Sequence, residues 1–197
     1  MKSSVAPPSD LSGWVLQVEL EARGTQNITL GIANGHRHPT DRRVLDHLAR
    51  GLTSAATPTI LYGKLLIVRL RDDLAEYALG RAGQGDTTLV ASPSPLGGWD
   101  VIDLAVSRIA KQRAEVTQFI ARALPTWKQQ YKLILVDLGS LGDSISRQLG
   151  FLCDGSYVIL GPESCGAPEW LRLQIGRHSQ AGSQVCGTIT VAASRVA

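Results

Sequence analysis

Three stretches in the second half of the chain, KLILVDL (132–138), SYVILG (156–161) and QVCGTITVA (184–192), are apolar at nearly every position rather than at alternate ones. A strand with one wet face alternates. One that is apolar throughout has to be covered on both sides, as in a parallel sheet between layers of helices. The intervening segments DSISRQLGFL (143–152) and PEWLRLQIGRHS (168–179) have helix-compatible spacing. Strands and helices alternating in this way imply right-handed crossovers. The expected fold is therefore α/β, a three-layer sandwich with a mostly parallel central sheet.

The first half carries the same alternation less clearly. TILYGKLLIVRL (59–70) reads as a strand, and DDLAEYALGR (72–81) as a short helix with Leu74, Ala75, Ala78 and Leu79 on one face. TTLVAS (87–92) reads as a brief strand and PSPLGG (93–98) as a loop. Between Asp100 and Leu124 the positions Ile102, Ala105, Val106, Ile109, Val116, Phe119, Ile120 and Ala123 recur at steps of three and four, which predicts a helix over 100–124 stopped by Pro125. Nearer the start, WVLQVEL (14–20) reads as a strand, NITLGIA (27–33) fits a strand and a helix equally, and DRRVLDHLARGL (41–52) is an amphipathic helix. Residues 1–12, with clustered Ser and Pro, read as a loose arm ahead of a single domain over 13–197.

Composition narrows the function. With 44% hydrophobic and 19% charged residues the chain is globular rather than disordered. Its net charge of +3 is small and its basic residues are interleaved with acidic ones, so nothing supports a nucleic-acid surface. No run reaches the ~18 apolar residues of a membrane span, and the opening MKSSVAPPSDLSG lacks the apolar core of a secretory signal, so no membrane insertion and a cytoplasmic location are expected. Cys153, Cys165 and Cys186 form neither an even set nor a CxxC pair, as expected of reduced, buried thiols.

Asp137 stands where an apolar strand ends, and open α/β sheets bind ligands beyond such ends. A carboxylate there commonly holds Mg²⁺ or its water beside nucleotide phosphates; the plain alternative is that it caps the following turn. The order of phrases YKLILVDLGSLGD, CDGSYVILG and AGSQVCGTITV over residues 85–192 resembles the ParA/MinD-type deviant P-loop ATPases, and more closely the cytoplasmic bacterial tyrosine kinases of exopolysaccharide synthesis. The resemblance implies a P-loop NTPase-like fold. In that family the strand ends in Asp, usually followed by paired prolines, so the resemblance also implies that Asp137, with Gly139 and Ser140, marks a retained nucleotide-binding strand end.

The family's phosphate loop needs glycines whose N–H groups wrap the phosphates, a lysine for the β/γ oxygens and a hydroxyl for Mg²⁺. Sought after a first strand at 14–20, that loop falls in EARGTQNITLGIA (21–33), where Gly24 matches a glycine but Gln26 and Asn27 replace Gly-Lys and Ile28 the hydroxyl. Gly24 and Asn27 are thus expected to be vestigial cofactor-binding positions. Gly63-Lys64 offers no loop, for it lies inside an apolar run. The family's second strand ends in Asp-x-Asp; LLIVRLRDD (65–73) puts Arg69 and Arg71 there, and guanidiniums cannot bind Mg²⁺. Asp72 and Asp73 lie just beyond. The family's tyrosine-rich tail has no counterpart in the closing AASRVA.

Three weaker constellations complete the reading. GDSIS (142–146) contains a serine, but Ser144 comes late for an esterase nucleophile and His178 has Ile175 where the acid would stand, so Asp143 or Ser144 is read as a helix cap. His36, His38 and Asp41 in GHRHPTD are spaced for a metal, though an exposed loop explains them as well. Cys165 sits between a strand and a helix with no histidine placed to activate it. The expectation is a non-catalytic relative, a pseudo-ATPase without cofactor or metal, acting through a protein partner. That partner is a membrane-bound chain-length regulator or an active homologue, and a homo-oligomer is compatible with it. Arg69 and Arg71 are then candidates for attracting an anion. The alternative is an active Mg-ATP-dependent ATPase or kinase with an unorthodox loop, or a hydrolase using Ser144 or Cys165.

Overall fold

The three fully apolar runs all lie in one sheet. The computed structural model describes residues 27–35, 42–53, 64–71, 91–96, 98–105, 110–161 and 167–190. Within them run β1 (Ile28–Asn34), α1 (Arg42–Thr53), β2 (Lys64–Arg71), β3 (Ser92–Pro93), β4 (Asp100–Ala105), α2 (Ala110–Gln130), β5 (Tyr131–Ser140), α3 (Ser144–Leu152), β6 (Gly155–Leu160), α4 (Pro168–Gln180) and β7 (Val185–Thr190). The sheet order is β3-β4-β2-β5-β1-β6-β7. Every pairing is parallel except the short edge ladder of β3 against β4.

Alternation along the strands sorts the side chains into two cores. Ile28, Leu30, Ile32, Leu65, Ile67, Leu133 and Leu135 pack with Leu45, Leu48 and Leu52 of α1. Leu66, Val68, Ile134, Val136 and Val158 face the other way, toward Ile120 and Leu124 of α2, Ile145 and Leu149 of α3 and the inner side of α4. Both faces of β1, β2 and β5 are therefore dry, which accounts for their unbroken apolar runs. The mostly parallel three-layer sandwich matches the expected fold class.

Several expected boundaries shift. The helix expected over 100–124 is two elements, because DVIDLA satisfies strand and helix spacing alike, and pairing with β2 decides for the strand β4. Pro125 lies inside α2 instead of ending it. Its missing N–H would have bonded the Ala121 carbonyl; both residues are exposed, so water can serve that carbonyl, while buried Leu124 and Trp127 hold the helix to the sheet. Pro93, read as loop, forms an edge pair with Asp100, the one kind of sheet position where a missing donor is harmless. NITLGIA resolves as a strand, with Asn27 just ahead of it. The arm at 1–12, the strand at 14–20, the helix at 72–81 and residues 59–63 and 87–90 of two expected strands lie outside the described residues. Among the described residues no helix is long and apolar enough to cross a membrane.

Two phrases that carried the family resemblance meet at the amino end of the sheet. Asp154 accepts the Thr29 N–H at 2.7 Å and pairs with Lys128 at 2.9 Å, which ties β6, β1 and α2 together. A Cβ on Gly155 would come within 2.6 Å of the Cys186 sulfur, where β7 bulges against β6, so the glycine is needed for that close approach.

Tyr131 opens β5 and donates its hydroxyl to Asp100 Oδ2 at 2.9 Å. Burial, reinforced by that hydrogen bond and the carboxylate's charge, pushes the phenol up to about 12 from 10.0. The folded chain thus keeps this proton while the unfolded chain loses it, so stability present below pH 10 should fall as pH rises toward 12. Urea denaturation across this range is expected to show that decline in the wild type and a shallower one in Tyr131→Phe. Equal slopes would contradict the assignment.

Candidate functional site

The connections leaving β1 and β6, which are neighbours, run toward opposite edges of the sheet, so a crevice opens beyond their carboxyl ends. Backbone bonds define its floor: Leu141 N–H donates to Asn34 O at 2.8 Å and Gly35 N–H to Ile159 O at 2.9 Å. A Cβ on Gly35 would stand 2.9 Å from that carbonyl and 2.8 Å from Leu160, so the chain can leave β1 this way only with glycine.

Asp137 reaches this floor from β5 and is buried. Its Oδ1 accepts the Gly139 N–H at 2.8 Å. Gly139 has φ +69, and the β1–β5 register slips by one residue between Asp137 and Gly139. The carboxylate therefore clasps a bulge at Leu138, a role in which glycine supplies the left-handed backbone. Ser140, also buried, turns the chain toward α3 by accepting the Asp143 N–H at 3.0 Å. The plain reading of Asp137 as a turn cap is thus realised in the geometry, and Asp137, Gly139 and Ser140 do come together.

The neighbouring strand ends decide the electrostatics. Arg69 pairs in register with Asp103, and Val68 with Val136, so Asp103, Arg69 and Asp137 form a row across β4, β2 and β5 on the face covered by α1. Arg69 forms an ion pair with Asp46 of α1, and both side chains are mostly buried. Arg71 meets Asp103 Oδ2 at 3.5 Å. Arg69 and Arg71, expected to attract an anion, are instead directed at carboxylates of the chain itself, because a guanidinium held this far from water needs a fixed counter-charge. Asp46 and Asp103 were missed in the sequence. Asp46 hid among the polar positions of an amphipathic helix, and Asp103 within a segment read as helical.

Asn27 does not join the group. It precedes β1, its amide donates to the Lys128 carbonyl, and it lies at the opposite end of a seven-residue strand from Asn34, about 20 Å away. The loop was sought after a strand expected at 14–20, which lies outside the described residues; the strand that ends at the crevice is Ile28–Asn34. Gly24, Cys165, His36, His38 and Asp41 lie outside the described residues, as do Asp72 and Asp73. No group of three metal-ligating side chains occurs among the described residues.

The hydrolase alternative on Ser144 finds no support in the geometry, and the one on Cys165 lies outside the described residues. Ser144 is exposed at the first position of α3, and Asp143 holds the N-cap position without a side-chain cap bond, contrary to the expected cap. Ser146, not Ser144, approaches His178 Nε2, at 3.4 Å, and that nitrogen lies 3.1 Å from the Leu141 carbonyl, to which it must donate. No carboxylate orients Nδ1, which lacks a partner. Burial holds the imidazole below its usual range, as for a neutral histidine of the core. Burial, with Asp154 nearby, pushes the Cys153 thiol up to about 12, so it stays protonated and unreactive.

No protein-family model matches the sequence, and no curated protein does. Solved structures do. The kinase domain of the Escherichia coli tyrosine kinase ETK superposes with a TM-score of 0.62 at 19% identity, over 95% of this chain and 76% of that one. The fold is that of the bacterial tyrosine kinase domains. The VpsO kinase domain matches at 0.60 and 13% identity over 89% and 94% of the two chains. A ParA family ATPase from Chlorobium tepidum matches at 0.51 and 13% identity over 84% and 73%. The tyrosine kinase domain likeness confirms the P-loop NTPase-like architecture at the level of the backbone.

If Asp46 is the counter-charge that fixes Arg69, removing it strands a mostly buried cation. Asp46→Asn is expected to destabilise the fold by about 2 kcal/mol, and the Asp46→Asn/Arg69→Leu double variant by less than the sum of the two single losses. Additive losses in urea denaturation would show that the pair is not coupled.

Proposed function

We propose that the chain is a pseudo-ATPase, a non-catalytic relative of the bacterial tyrosine kinase and ParA-type domains that acts through protein interaction. One comparison carries the reading. A phosphate loop joins a strand to a helix in the pattern GxxxxGK[ST]. Between β1 and α1 this chain reads Gly35-His36-Arg37-His38-Pro39-Thr40-Asp41-Arg42. Gly35 fits the first glycine, but threonine stands for the second, Asp41 for the lysine and Arg42 for the hydroxyl residue. No lysine occurs anywhere between Lys2 and Lys64.

A carboxylate where the pattern needs an ammonium repels a triphosphate instead of gripping it. Thr40 adds a side chain where backbone N–H groups would have to approach the phosphates. The Arg69–Asp46 pair works in the same direction. It places a guanidinium beside Asp137, where the family has acids, so the row of side chains suited to a hydrated Mg²⁺ is broken by a fixed positive charge. Loss of the lysine, the hydroxyl and the metal site together supports loss of chemistry rather than a change of substrate.

The kinase-domain likeness extends the proposal to exopolysaccharide synthesis in the cytoplasm, with a membrane-bound chain-length regulator or a catalytically competent homologue as partner. Purified protein incubated with radiolabelled Mg-ATP is expected to release no phosphate and to label neither itself nor an added tyrosine peptide above the background of heat-denatured protein. Turnover that disappears in Asp137→Asn would refute the proposal.

A further inference from the structure

On the side of the sheet away from α1, an open groove of about 570 Å³ lies along the outer face of α3. Thr117 of α2 and Ala181 at the end of α4 bound it, and Ser144, Arg147, Gln148 and Phe151 form its floor. Those four stand at i, i+3, i+4 and i+7 of one helix, on the face turned away from buried Ile145, Ser146 and Leu149. A hydrogen bond of 3.2 Å between the Thr117 and Gln148 side chains ties the α2 wall to this floor.

The groove offers an apolar anchor and unspent positive charge. Phe151 is 64% exposed, and its ring rests on the α4–β7 turn: Gly182 has φ +84, and a Cβ on it would stand 2.9 Å from the ring. Arg147 is half-buried, donates to the Gly142 carbonyl at 3.2 Å and forms no ion pair with any described residue. Arg177, one turn before Ala181, is exposed and likewise has no ion pair among the described residues. The lining contains no acid. Exposed Asp143 stands just outside it, before Ser144, and Glu115 is two residues from Thr117, hence about 200° round α2.

We propose that this groove docks an acidic peptide segment of a partner protein, with an apolar side chain set against Phe151 and Leu152 and carboxylates against Arg147 and Arg177. The inference deepens the interaction reading above and rests on it, adding where the partner holds and by what chemistry. Opposite charge beside an exposed aromatic anchor is the usual make-up of such a contact. A concave lining suits a peptide, whereas a bilayer is flat and cannot enter it. A second copy docked about a two-fold axis would bring the same patch with it, so that Arg147 and Arg177 met their like.

The test is a ¹H–¹⁵N titration of the full chain with a synthetic amphipathic peptide of Leu and Glu, and with its counterpart carrying Lys for Glu as the control. The acidic peptide is expected to move the backbone amides of α3 and Ala181 saturably, with a dissociation constant of about 0.1 mM or below that rises with added salt. The basic peptide is expected to move none of them. Phe151→Ser and Arg147→Glu should each weaken binding about tenfold with the rest of the spectrum unchanged. Arg147→Glu also loses the bond to Gly142, so if it does not fold, exposed Phe151→Ser decides alone. The proposal is overturned if the groove amides do not saturate, if the basic peptide binds equally, or if Phe151→Ser binds as the wild type does. It is overturned too if those amides respond instead to anionic phosphatidylglycerol vesicles or to protein concentration alone, which assigns the face to a membrane or to a second copy. ATP turnover enters none of these outcomes, so a failure here leaves the pseudo-ATPase reading to its own test.

Discussion

The ion pair between Arg69 and Asp46 governs the carboxyl end of this sheet. A guanidinium on a central strand, under a helix and away from bulk water, is tolerable only with a fixed counter-charge. Asp46 of α1 supplies it, and Asp103 of β4 receives Arg71 alongside. The pair links α1 to the strand end and sets the sign of charge beside Asp137. In a P-loop NTPase-like fold this is the region where phosphate, metal and strand end converge. Here the charges are closed on one another.

The amino end is organised by the same rule, with different partners. Asp154 joins Thr29 and Lys128, and Asp100 takes the Tyr131 hydroxyl, so each buried or half-buried carboxylate is matched to a donor from another element. Polar side chains thus hold both ends of a sheet whose middle is packed chiefly by apolar ones.

Much of this was legible in the sequence. Runs such as KLILVDL and SYVILG admit only a doubly covered strand, so the parallel sheet followed from residue pattern alone. Asp137 with Gly139 and Ser140 was found because an acid ending such a run is conspicuous. NITLGIA fits a strand and a helix equally, so the phosphate loop was sought after the strand expected at 14–20, and that put its alignment onto Gly24 and Asn27. Asp46 and Asp103 were invisible for a different reason: their importance lies in pairing across elements, and nothing local distinguishes a helix-surface aspartate from one that neutralises a strand arginine.

The central claim is that this strand end, as charged and as sequenced, does not accept a magnesium-bound triphosphate. Thermal unfolding with increasing Mg-ATP, set against Mg²⁺ with sodium chloride at equal ionic strength, tests it most directly. A ligand at 100 times its dissociation constant stabilises a fold by about 2.7 kcal/mol, a shift of several degrees. The account predicts superimposable unfolding curves up to millimolar nucleotide; a saturable rise in the midpoint that Asp137→Asn abolishes would contradict it.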